Sequence, residues 1–255
     1  MGAEHDLLIR GGTIVDGTGG APFVGDVLVH DGRIIEVSKG AIEGASARET
    51  IEASGKLVTP GFVDVHTHYD GQATWDEELA PSCWHGVTTI VMGNCGVGFA
   101  PIVPGQEQTL IEQMEGVEDI PGTALAEGID FRWESFPEYL DALDERRFML
   151  DVGTQVPHAA VRAYVMGERS MDAKPTDEDL TQIAAIVREG IEAGALGVST
   201  SRILAHRTSA GEEVPGTFAG EHELETMARV LGDLDQGVFE VVPRGMDGEV
   251  SETSH

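Results

Sequence analysis

Val63-Asp64-Val65-His66-Thr67-His68 is the stretch on which the reading of this chain turns. Gly61 and Phe62 lead into it, so it is mostly apolar up to two histidines spaced i, i+2. Side chains alternate between faces along a β-strand. His66 and His68 therefore leave one face, at the end of a strand that reads as buried. Two imidazoles converging at a strand end suit a divalent metal. The same spacing fits one exposed and one core histidine in a turn, and a lone His-x-His does not choose between them.

Outward from this stretch the chain falls into two regimes. After residue 61, apolar runs at 62–66, 88–92, 149–156, 196–199 and 238–242 alternate with longer amphipathic segments. Helices are expected over 136–147, with Ser135 as cap and Pro137 in the first turn, over 176–193, closed by Gly194, and over 221–234. Strand–helix alternation of this kind argues for an α/β fold of parallel strands with crossover helices, a barrel or an open sheet. Residues 1–60 read differently. Short runs at 7–10, 13–15, 26–30, 33–37 and 56–59 are separated by Gly11-Gly12, Asp16-Gly17 and Asp31-Gly32, and Asp-Gly between apolar runs is a hairpin signal. A small antiparallel β module over 1–60, followed by the first part of a (β/α) barrel over 61–255, is the expected organisation. After the fifth strand the tail 250–255 is polar and irregular. Five strands do not close an eight-stranded barrel, so the chain reads as the N-terminal part of a longer enzyme, inactive by itself.

The net charge of −29 argues against nucleic acid and anionic membrane partners, which require a positive face. An apolar fraction of 41% is ordinary for a globular protein. No window is apolar enough to span a bilayer, no secretory leader is visible, and two cysteines make no disulfide framework. A cytoplasmic protein is expected.

The chemistry-bearing residues cluster at strand ends. Cys95 follows the second strand in Met92-Gly93-Asn94-Cys95-Gly96, where glycines let the backbone approach closely. With His66 and His68 its thiolate would complete a three-ligand corner suited to Zn2+; a small packed cysteine is the alternative. Asp70 is either an outer acceptor for a ligand imidazole or a helix cap. Cys83 and His85 precede the second strand and read as structural. His158, after the third strand, is a candidate substrate contact or a solvated loop residue. Ser199-Thr200-Ser201-Arg202 and His206-Arg207 follow the fourth strand. Arg202 or Arg207 could hold a substrate carboxylate through paired hydrogen bonds, or pair with the plentiful surface acids.

Four blocks carry a resemblance: His66-Thr67-His68-Tyr69-Asp70, Gly93-Asn94-Cys95-Gly96, Trp133-Glu134-Ser135-Phe136-Pro137-Glu138-Tyr139-Leu140 and Gly194-Ala195-Leu196-Gly197-Val198-Ser199-Thr200. Together they resemble the amidohydrolase superfamily, and more closely the N-acyl-D-amino-acid deacylases (D-aminoacylases). The resemblance implies a metal-dependent (β/α)8 barrel beside a small β-sandwich. It implies zinc-dependent hydrolysis of a linear amide, a small N-acyl-amino acid. His66 and His68 match the first-strand metal pair, and Cys95 matches a cysteine ligand used where many relatives have a carboxylated lysine. The family's fifth-strand histidine has no counterpart in Val238-Phe239-Glu240-Val241-Val242-Pro243-Arg244. A further histidine ligand and the catalytic aspartate would lie beyond His255. Cyclic-amide hydrolysis, deamination, or a barrel that has lost its metal remain alternatives.

Overall fold

The computed structural model describes residues 5–118, 120–171 and 174–245. The polar tail 250–255 lies outside them. The chain divides into two compact units, Met1–Gly61 and Phe62–His255.

In the first unit, β1 (His5–Ile14), β2 (Phe23–His30), β3 (Arg33–Lys39), β4 (Ala47–Glu52) and β5 (Leu57–Val58) form one five-stranded sheet in the order β3-β2-β1-β4, with β5 also on β1. The expected turn at Gly11-Gly12 is a bulge inside a single strand. The pairing of β1 with β2 shifts register between Ile9 and Gly12, and Gly11 sits at φ +68°. A left-handed glycine inserts an extra residue into a ladder without reversing the chain. The buried Asp26 carboxylate pins this bulge by accepting from Gly11 N at 2.8 Å, and it also accepts from Ile42 N at 3.0 Å. The module is mixed rather than antiparallel, because β4 and β5 both pair parallel to β1. The polar run Ala47-Arg48-Glu49-Thr50-Ile51-Glu52 lacks a clear apolar alternation, which is why β4 is not legible as a strand.

The second unit is a parallel α/β array. Its elements are β6 (Phe62–Asp64), β7 (Val87–Met92), α1 (Glu107–Glu118), α2 (Gly122–Gly128), α3 (Phe136–Asp144), β8 (Asp151–Thr154), β9 (Val156–Pro157), α4 (His158–Met166), α5 (Asp177–Ala193), β10 (Gly197–Ser201), α6 (Glu221–Leu234) and β11 (Val238–Val242). The strand order is β6-β7-β8 in one sheet and β9-β10-β11 in the other, and all four pairings are parallel. The third expected strand is therefore split at Gln155. Gln155 N still donates to Met92 O at 3.0 Å, and Leu196 N donates to Thr154 O at 2.9 Å, so the run passes from one ladder to the next.

Helix positions follow local chemistry. Ser135 with Glu138 and Thr176 with Asp179 make reciprocal capping boxes at the starts of α3 and α5, satisfying two otherwise orphan donors each. On α5 the buried Leu180, Ile183, Val187 and Ile191 form one stripe at helical spacing. On α6, Glu223 lies in that inward position and is buried. Both its oxygens accept from Arg162 Nη1, and Oε1 also bonds His158 Nε2 at 2.9 Å. Arg162 Nε in turn donates to Ser170 O at 2.8 Å. A buried pair satisfied this fully costs a great deal to break from one side.

Among the described residues no helix is long and apolar enough to cross a membrane.

Glu223→Ala should destabilise the protein by about 3–5 kcal/mol, because it removes the buried carboxylate that Arg162 and His158 share. Arg229→Ala, which removes an exposed i, i+4 partner of Glu225, should cost about 0.5 kcal/mol or less. Urea unfolding of the two variants gives the comparison; equal losses would reject the assigned weight of the buried network.

Candidate metal centre

The site is built on the chain beyond β6. Thr67 is buried and faces away from it: its N–H and its hydroxyl both donate to Val91 O, at 2.9 and 2.8 Å. Anchoring Thr67 to β7 sends His66 and His68 to the other side, with ring centroids 5.3 Å apart. The expected alternation holds, although the regular ladder ends at Asp64.

Cys95 arrives from the end of β7 on a left-handed turn. Gly93, Cys95 and Gly96 have φ of +74°, +55° and +75°. A Cβ on Gly93 would lie 2.3 Å from Gln155 O, so both conformation and space demand glycine there. Asn94, between them, is fully buried. Its Nδ2 donates to Thr67 O at 3.0 Å and Val91 O at 2.9 Å, and its Oδ1 accepts from Gln155 Nε2 at 2.8 Å. One carboxamide thus ties the histidine segment, β7 and the β8–β9 break together beneath the donors.

One ligand atom each from His66, His68 and Cys95 lies within 4.8 Å of the others. His66 Nε2 is 3.2 Å from Cys95 Sγ. His68 Nε2 is 3.2 Å from Glu118 Oε1 on α1, and its Nδ1 is buried with no hydrogen-bond partner. Burial, then the carboxylates of Glu118, Glu240 and Asp70, push the Cys95 thiol well above its ordinary range. Without a cation such a thiol keeps its proton; a divalent ion reverses that balance. Two imidazoles and a thiol converging among three carboxylates fit a borderline-soft divalent ion.

Sequence reasoning misses Glu118, which has no local signal on α1. It also misses Glu240, whose signal is a lone charge within an apolar strand. Glu240 Oε2 accepts from Cys95 N at 3.3 Å.

Of the other candidates, Asp70 stands beside the cluster and the rest lie apart from it. Asp70 is buried, and burial raises its carboxyl to about 7 against the pull of the Asp70 and Gly93 amides; its Oδ2 has no partner. His158 is buried at the start of α4, between Thr200 Oγ1 at 2.9 Å and Glu223, so the structure places it in a packed network. Arg202 Nη1 donates to Ala219 O. Arg207 bonds Gly211 O at 2.9 Å and Glu213 at 3.2 Å within its own loop. The structure does not join either guanidinium to the His66–His68–Cys95 cluster. From that loop it is His206, held by Ser201 Oγ at 2.9 Å, whose charge bears on His68. Cys83 is half-buried and His85 ends a short 3-10 turn, Ser82–His85.

A family model described as "Amidohydrolase family" matches residues 49–254. The chain belongs to the amidohydrolase family. Among amidohydrolases, D-aminoacylase of Alcaligenes xylosoxydans xylosoxydans is 34% identical over 195 residues, 76% of this chain and 37% of the relative. A D-aminoacylase structure solved to study its binuclear metal centre superposes with a TM-score of 0.73 at 31% identity, covering 92% of this chain and 44% of that one. The N-acyl-D-glutamate deacylase of Bordetella bronchiseptica, solved with zinc and a phosphonate inhibitor, gives 0.67 at 31% identity, over 93% and 45%. This amidohydrolase chain thus spans less than half the length of these relatives.

Two groups of the site titrate in opposite senses. Burial, then His66 and His206, lower His68 from 6.5 to about 4. Its contribution to stability is present above pH 6.5 and is lost as pH falls towards 4, because the unfolded chain takes up the proton first. Asp70 is raised from 3.8 to about 7. Its contribution is present below pH 3.8 and is lost as pH rises through 7. In metal-free protein the two slopes oppose each other. Relative to the parent, Asp70→Asn should make stability rise more steeply between pH 4 and 6.5, and His68→Gln should make it rise less. Urea unfolding across that range is the check; parallel curves for all three proteins would remove the assigned protons.

Proposed function

We propose that this chain is the N-terminal part of a metal-dependent hydrolase that cleaves the linear amide of N-acyl-amino acids. On this reading the parallel array is the first five strand positions of a (β/α)8 barrel. The observation that carries the proposal is the convergence of His66, His68 and Cys95, within 4.8 Å of one another, just beyond the C-terminal ends of β6 and β7. Catalytic groups of such barrels gather at that end of the strands. The likeness to D-aminoacylase and to N-acyl-D-glutamate deacylase supports the substrate class.

His66, His68 and Cys95 would hold the ion, and the imidazole–thiolate set favours Zn2+. When bound, the ion supplies Lewis-acid polarisation of the amide carbonyl. The chain's own residues position the donors. Glu118 fixes the ring of His68 through Nε2. Thr67 and Asn94 hold the histidine segment against β7. Asp70 keeps a proton into the neutral range. Arg202 and Arg207, on the loop after β10, are proposed to meet the substrate carboxylate once that loop exchanges its internal bonds for substrate.

One observation favours a second reading, a barrel that has kept its fold and lost its metal: β11 carries no histidine, where the resemblance implies one. Metal analysis separates the two. The protein at its full natural length should hold about one equivalent of zinc and release free amino acid from N-acetyl-D-amino acids. Cys95→Ser should lower metal affinity by more than about 100-fold, beyond what loss of an outer hydrogen-bond partner costs, and remove turnover. Hydrolysis that survives both chelation and Cys95→Ser would reject the hydrolase mechanism. Zinc well below one equivalent, with no turnover, would establish the second reading.

Arg202→Ala, measured in the same assay, should raise KM for carboxylate-bearing substrates with little change in kcat. An unchanged KM would discard that residue.

A further inference from the structure

The turn that presents Cys95 is gripped from the opposite side of the array. Its two consecutive amides, Cys95 N and Gly96 N, belong to residues with positive φ, so neither enters a regular ladder. Buried amides of this kind need acceptors. Gly96 N donates to Ser199 Oγ at 2.9 Å, and Ser199 Oγ donates onward to Gly93 O. Cys95 N donates to Glu240 Oε2 at 3.3 Å. Ser199 on β10 and Glu240 on β11 are direct partners in the parallel register. Two neighbouring side chains from two strands therefore hold three backbone groups of one four-residue turn. Consecutive N–H groups in such a turn form a concavity that takes acceptors, and here a carboxylate meets one amide and a hydroxyl the other.

A cysteine at φ +55° is in a conformation that disfavours any residue with a Cβ, by about 1–2 kcal/mol. The turn stays there because the surroundings overdetermine it. Below, Asn94 anchors it to Thr67 and Val91; above, Ser199 and Glu240 take its amides. Loss of the upper grip frees the Cys95 backbone to relax, and Sγ then leaves His66.

We propose that Glu240 is a positioning residue of the metal centre: its carboxylate oxygen clamps the Cys95 amide and so aims the thiolate at the site. The proposal rests on the metal reading above. It gives β11 a different task from the one the family resemblance implies. The strand contributes an acceptor to the backbone that carries a ligand, and the donors remain His66, His68 and Cys95.

The test uses the protein at its full natural length, stripped of metal and titrated with Co2+ in competition with a chromophoric chelator, while the cobalt–thiolate charge-transfer band is followed. Glu240→Gln keeps an oxygen at the same reach, so affinity and band should stay close to the parent's. Glu240→Asp keeps the charge but withdraws the oxygen by one methylene. It should lose about 10–100-fold in affinity, the range for a lost outer partner, with a weakened band. Ser199→Ala should fall in the same direction. Thermal unfolding without metal shows whether each variant is folded, and the conservative Gln and Asp pair decides the matter if Ser199→Ala is not. Glu240→Asp binding Co2+ like the parent would overturn the clamp. So would Glu240→Gln losing as much as Glu240→Asp, since charge or direct ligation would then be the cause. A parent protein that binds no Co2+ would instead overturn the metal reading itself.

Discussion

The buried carboxamide of Asn94 is the interaction on which the rest of the site depends. It is fully enclosed, and it satisfies carbonyls from the histidine segment and from β7 while accepting from Gln155. Buried polar groups in low dielectric hold their geometry strongly when every partner is present, and cost heavily when one is missing. Asn94 therefore sets the distance between the chain that bears His66 and His68 and the turn that bears Cys95. The left-handed backbone of Gly93, Cys95 and Gly96 is the other half of this constraint. It turns the chain back over the strand ends, where a regular exit from β7 would have carried the thiol away.

Charge organises what stands around this frame. The groups that act on the Cys95 thiol are carboxylates, from Glu118 on α1, Glu240 on β11 and Asp70 after the histidine pair. Three acids brought from separate elements to one thiol are unfavourable company for each other unless a cation joins them. The buried Glu223, by contrast, finds its cation in Arg162 and its second donor in His158. The two clusters differ in their charge balance: Glu223 faces a guanidinium, whereas the acids around Cys95 face imidazole, thiol and amide groups.

Much of the fold was legible because it rests on local signals. Alternation of apolar runs and amphipathic stretches placed the parallel strands, and β11 occupies the expected 238–242. Ser135 as a cap marked one helix start, and Gly194 marked a helix end. What local signals could not show was pairing. Gly11-Gly12 reads as a turn, and only the neighbouring β2, with Asp26, makes it a bulge. The run 149–156 reads as one strand, yet it serves two ladders and breaks at Gln155. His158 and Arg207 looked like rim residues from their place after strands; packing gave one to Glu223 and the other to its own loop.

By itself, the sequence determined which atoms were available to the site. The His66–His68 spacing, the glycines around Cys95 and the family blocks are covalent facts, and periodicity and turn chemistry translate them into strands, loops and a donor set. Tertiary structure alone decided which distant residues attend those donors. Glu118, Ser199 and Glu240 reach the site across 50, 103 and 145 residues of chain, counted from His68 to Glu118, Gly96 to Ser199 and Cys95 to Glu240. Such contacts depend on strand order and on the register that sets Ser199 beside Glu240. A lone acid in an apolar strand signals that something unusual stands opposite it. Only the folded array shows that this partner is the amide of Cys95.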